Sequence, residues 1–152
     1  MTAYGKVSQA ALASMSLLAE RYHAETPQYL SSGEIAEARK LSQALVAKVL
    51  TKLSQVGLVI GTRGPGGGYA LAMKPSEIKL HDVVAPFERQ DDTLGCPFGS
   101  EWCGTGPECP LHQELEAMRN RLTQFLQTVT LDCFLNRPKA IVQNLKLDNL
   151  KD

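Results

Sequence analysis

The sequence predicts a mainly α-helical chain with one small β-hairpin, organised as a winged helix-turn-helix followed by a long C-terminal helix. Three observations predict it. Two segments of helical period, about 31–38 and 42–55, stand a few residues apart. The run Arg63-Gly64-Pro65-Gly66-Gly67-Gly68 separates the triplets Leu58-Val59-Ile60 and Tyr69-Ala70-Leu71. Leu111, Leu115, Met118, Leu122, Phe125 and Val129 then step alternately by four and three residues.

Each element has its own local signal. Over residues 5–22, Val7, Ala10, Ala11, Leu17 and Leu18 follow helical spacing without an interrupting proline, and Thr26-Pro27 closes the region. Ser31 and Glu34 are spaced as a capping box, opening a short helix to about Ala38. Arg39-Lys40-Leu41 is a brief connection. Ser42 is a good N-cap for a longer helix that buries Val46, Val49, Leu50 and Leu53 and stops at Gly57. The glycine-rich hairpin is the wing, with Arg63 as a cation at its edge. Residues 76–88 read as partly helical, with Pro86 limiting the length. Residues 91–110 are rich in Gly, Pro and Cys and read as a loop ordered by its cysteines. Pro110 suits the first position of the last helix, whose heptad seam predicts burial against a two-fold related copy. The expected organisation is therefore 1–75 DNA-binding unit, 76–90 connecting helix, 91–110 sensor loop, 111–135 dimerisation helix and 136–152 tail.

Composition sets the outer bounds. With 152 residues, 43% hydrophobic and 21% charged, the chain suits one folding unit plus an extension. It has no apolar stretch near the roughly 18 residues of a membrane helix, and its start lacks the layout of a secretory signal. A cytoplasmic protein without a membrane partner is expected. Net charge is zero, yet residues 1–75 carry eight Lys/Arg against four Asp/Glu, and 76–152 carry eight against twelve, giving +4 and −4. The first half can face phosphate.

On the wing string, the preceding residues 53–58 and the pattern Cys96, Cys103, Cys109, His112, the chain resembles winged-helix transcription regulators of the IscR/NsrR type over about residues 1–135. The resemblance implies a homodimer, through residues 111–133, that binds a palindromic operator in double-stranded DNA. It also implies a labile iron-sulfur cluster, [2Fe-2S], that switches affinity, and a repressor that senses redox, nitric oxide or iron-sulfur status.

On that reading Ser42 opens the recognition helix, and Gln43, Ala44, Ala47, Lys48 and Thr51 lie opposite its buried stripe. Gln43 and Lys48 are the expected base readers, since Gln matches adenine N6/N7 and Lys matches guanine O6/N7. Ser31, Lys52 and Thr62 suit phosphate contacts, and Arg63 suits a narrow minor groove.

Four cysteines without a secretory signal point to metal or redox chemistry rather than disulfides. Cys96, Cys103, Cys109 and His112 give three thiols and an imidazole, with His112 one turn into a helix whose N-terminus favours an anionic ligand set. Cys3His suits zinc as well as an iron-sulfur cluster, and the wide spacing suits the cluster better. The IscR branch resembles this arrangement with a first spacer one residue shorter. Other branches place an acidic ligand near position 8 of the partner subunit, whereas this chain has Ser8. Cys133 reads as a packing residue, and His23 and His81 as surface residues. The alternative is a winged-helix regulator whose cysteines bind zinc or form a thiol switch without a cluster. No enzyme is expected, because Gly64 to Gly68 fit neither a P-loop nor a dinucleotide fingerprint.

Overall fold

Helix α1 (Lys6–Glu20) buries Ala10, Ala11, Met15, Leu17, Leu18 and Ala19 and forms the spine on which the rest assembles. Its small residues admit close neighbours. Ser14 and Ser16 are also buried, and each donates its hydroxyl to a carbonyl one turn back, of Ala10 and Ala13, so neither costs an unsatisfied group. The computed structural model describes residues 5–88 and 109–135 of the chain.

Helices α2 (Ser32–Arg39) and α3 (Gln43–Gln55) pack on each other and on α1. Ser31 and Glu34 form the reciprocal capping box that the spacing predicts, at 3.2 and 2.7 Å. Arg39 ties α2 to α1 by donating to the Ala13 carbonyl, Ser16 Oγ and Glu20 Oε1. The turn between the two helices passes through Lys40 in the left-handed region, φ 54°. Ser42 caps α3 by accepting from the Leu45 amide at 3.1 Å. Val46, Val49, Leu50 and Leu53 are completely buried, each such side chain contributing about 1.5 to 3 kcal/mol. Gly57, at φ 81°, releases the chain from the helix.

Strands β1 (Val59–Thr62) and β2 (Gly68–Leu71) pair antiparallel, Val59 opposite Leu71 and Thr62 opposite Gly68. Leu58 is buried but stands just before the strand. A 3-10 turn (Pro75–Glu77) and helix α4 (Leu80–Val84) follow, shorter than the expected connecting helix.

Helix α5 (His112–Thr128) differs from expectation at both ends. Pro110 precedes it by two residues rather than opening it. The helix stops at Thr128, short of 135, because the following segment is captured by the core. Leu80 donates to the Val129 carbonyl and Leu131 to that of Ile78, both at 2.9 Å, and Leu131 is fully buried. Cys133 consequently lies on a separate 3-10 turn (Leu131–Phe134) rather than late in α5, and is exposed within the chain. Its thiol is pushed up from the ordinary value by partial desolvation and by the neighbouring Asp132 carboxylate.

Among the described residues no helix is long and apolar enough to cross a membrane.

Candidate nucleic-acid interface and metal ligands

The buried stripe of α3 dictates its exposed face. Gln43, Ala44, Lys48 and Thr51 are exposed opposite the core, Ala47 is half-buried among them, and Lys52 is exposed beside them. The Thr51 hydroxyl donates to the Ala47 carbonyl at 2.8 Å, leaving its methyl and its oxygen lone pairs to the surface. Ser42 accepts from the Leu45 amide and so keeps its own O–H to donate outward, whereas the Ser31 hydroxyl is engaged with Glu34 in the capping box.

The wing is fixed to the start of α2 by backbone. Leu30 and Tyr69 exchange two hydrogen bonds, 3.0 and 2.8 Å, so the start of β2 is joined to the residue that precedes the α2 cap. Gly68 makes the approach possible. A Cβ there would stand 2.5 Å from the Leu30 carbonyl carbon and oxygen, and its φ is 148°. A Cβ at Gly67 would meet the Thr62 carbonyl oxygen at 2.5 Å. Thr62 and Arg63 are exposed where β1 runs into the loop. The sequence marked the glycines, but the Leu30 bridge joins residues 39 positions apart and has no local signal.

Of the four expected ligands, Cys109 and His112 are described, and Cys96 and Cys103 lie outside the described residues. Cys109 is buried, and its carbonyl accepts from the His112 amide at 2.9 Å, which places Cys109 in the turn leading into α5 and His112 at the helix's first residue. His112 Nε2 stands 3.9 Å from Glu116 Oε2. Among the described residues no group of three or more His, Cys, Asp or Glu side chains is poised for a metal. Ser8 is buried and donates to Glu88 Oε1 at 2.5 Å, a contact between residues 80 positions apart that no local signal anticipates. His23 and His81 are exposed.

Half of the heptad seam is uncovered within the chain, while Leu115, Leu122 and Val129 are half-buried. Leu111 is 48% exposed, Met118 62% and Phe125 50%, whereas Leu126, one step off the seam, is buried in the core.

Comparison with known proteins agrees with the fold and its signals. The profile of the Rrf2 family, described as "Iron-dependent Transcriptional regulator", matches residues 5–137. The HTH-type transcriptional regulator IscR of Aliivibrio salmonicida is 31% identical over 131 residues, covering 86% of this chain and 74% of the relative. That of Pectobacterium carotovorum is 32% identical over 108 residues, 71% and 65%. The chain thus spans about two thirds to three quarters of these curated relatives. Among solved structures, CymR, the global cysteine regulator of B. subtilis, superposes with a TM-score of 0.68 at 26% identity, covering 89% of this chain and 97% of CymR. IscR of T. potens shares the fold at a TM-score of 0.65 and 24% identity, covering 90% and 89%.

Proposed function

Because this chain belongs to the Rrf2 family of transcriptional regulators, we propose that it acts in the cytoplasm as a homodimeric repressor on a palindromic operator, with a loop-bound iron-sulfur cluster setting its affinity. The observation that carries the reading is the exposed α3 face, with Gln43, Lys48 and Thr51, together with a wing that exposes Arg63 and is tied to the start of α2 by the Leu30–Tyr69 bridge. Its relatives are transcriptional regulators and not enzymes.

In this reading α3 enters the major groove. Gln43 and Lys48 contact base edges, with Ala44 and Ala47 allowing close approach. Ser31, Ser42, Lys52 and Thr62 position phosphates, and Arg63 reaches the adjacent minor groove. The uncovered seam of Leu111, Met118 and Phe125 supports pairing of two α5 helices, which sets the spacing of the two recognition helices.

The donors present fit a cluster. Cys109 is shielded from solvent, and His112 follows it at the helix start, where the N-terminal dipole favours negative charge. Cys96, Cys103, Cys109 and His112 would hold the group, which supplies a redox-sensitive and releasable charge at the junction with α5. His112 would contribute a single neutral imidazole among thiolates, so binding there is linked to its proton.

The test is purification without oxygen, followed by visible absorption and analysis of iron, sulfide and zinc. The reading expects charge-transfer bands with equal iron and sulfide, lost in His112→Ala. Colourless protein that also fails reconstitution, with or without zinc, moves the cysteines to zinc or thiol chemistry and leaves DNA binding untouched.

A further inference from the structure

Gly33 occupies the second position of α2, between the capping residues Ser31 and Glu34. Glycine is among the poorest helix formers, and a positive φ does not explain it: Gly57, Gly64, Gly66 and Gly68 have one and Gly33 does not. What a Cβ at Gly33 would meet is side chain. Gln43 Nε2 would lie 3.4 Å away, Gln43 Cδ 3.7 Å and Ser31 Oγ 3.8 Å. The carboxamide of the first α3 residue therefore rests against the bare backbone of the first α2 turn. Gln43 is exposed overall, so this contact confines a side chain that would otherwise sample many rotamers. Confinement before binding lowers the entropy lost when a side chain engages its partner.

We propose that Gly33 is a specificity-determining residue of the DNA-binding surface: its missing side chain is the seat that orients the Gln43 carboxamide toward a base edge. The inference rests on the reading of Gln43 as a base reader. Its effect is graded by the size of the group at position 33. A single Cβ reaches ordinary contact distance at 3.4 Å, whereas the two methyls of valine extend past it into the space that Gln43 Cδ and Nε2 occupy.

The test uses the full chain and duplexes selected by it from a random pool. Each base pair of a half-site is then replaced in turn, and binding is read by fluorescence anisotropy at one salt concentration. Circular dichroism verifies helix content. Gln43→Ala is expected to lower the preference at one base pair per half-site by at least about fivefold. Gly33→Val lowers it at the same base pair, Gly33→Ala lowers it less, and Gly33→Val adds nothing in the Gln43→Ala background. Affinity for unrelated duplex is unchanged in Gly33→Ala and Gly33→Val. If Gly33→Val weakens every duplex alike, Gly33 admits a phosphate instead and the seat is wrong. If Gly33→Val leaves intact a preference that Gln43→Ala removes, the seat is overturned and the reading of Gln43 stands. If Gln43→Ala changes no preference, that reading falls and the proposal falls with it.

Discussion

At the scale of single residues, side chains that hold the fold are also the ones the proposed function assigns to recognition. Ser42 holds the first turn of α3 through the Leu45 amide, so Ser42→Ala is expected to cost about 1 kcal/mol in urea unfolding, as the loss of an N-cap does. Glu34 holds the first turn of α2, and its bonds to the Ser31 amide and hydroxyl hold its carboxyl below the ordinary carboxylate range. Its contribution to stability is therefore fully present above the unfolded-state value and disappears as pH falls through the lower folded-state value. A pH series should show a shallower acid decline in Glu34→Gln than in the parent protein. For recognition, Lys48→Ala should cost about 1 to 3 kcal/mol of discrimination at one base pair, and Arg63→Ala should lessen the salt slope of binding by about one. Anisotropy titrations over a salt series separate the two effects. The capping residues and exposed polar face were legible in the sequence because their signals span three or four positions. Cys133 was not, because its exposure follows from where Leu131 docks.

At the scale of elements, the helix-turn-helix and hairpin were legible for the same reason. Caps, Gly57 and the alternation of apolar and glycine-rich stretches are local, and the observed α2, α3, β1 and β2 fall within two residues of the expected spans. The end of α5 was not legible. Its heptad pattern continues to Val129, but hydrogen bonds to Ile78 and Leu80, about fifty residues earlier, turn the chain into the core. The wing's attachment is equally non-local, and it makes a prediction at this scale. Gly68→Ala drives a Cβ into the Leu30 carbonyl, so it should lower stability by about 1 to 3 kcal/mol, and DNA affinity with it. Gly64→Ala, with open space around its Cβ but a positive φ of 93°, should leave the Leu30–Tyr69 bridge intact and weaken binding less. Thermal unfolding and titration of both variants test the comparison.

At the scale of the whole molecule, the proposed DNA-reading unit and the proposed dimerisation helix are joined in sequence by the segment that bears the cysteines. Sequence spacing raised the ligand quartet, and the structure brings Cys109 and His112 to one helix start, while Cys96 and Cys103 fall outside the described residues. The uncovered seam gives a direct expectation for assembly. If the proposed dimer forms through this seam, Phe125→Glu, at a half-exposed position, should convert it to a folded monomer in sedimentation and lose operator affinity by more than tenfold, because only paired half-sites reinforce each other. The measurement that bears most directly on the central claim is operator affinity of oxygen-free protein before and after removal of its iron, at one salt concentration, beside Cys103→Ala. A cluster-set regulator predicts that the two forms differ by at least about tenfold, or 1.4 kcal/mol, with Cys103→Ala folded and behaving as the iron-free form. Equal affinity in all three would contradict it, leaving a DNA-binding protein whose cysteines do not govern its grip.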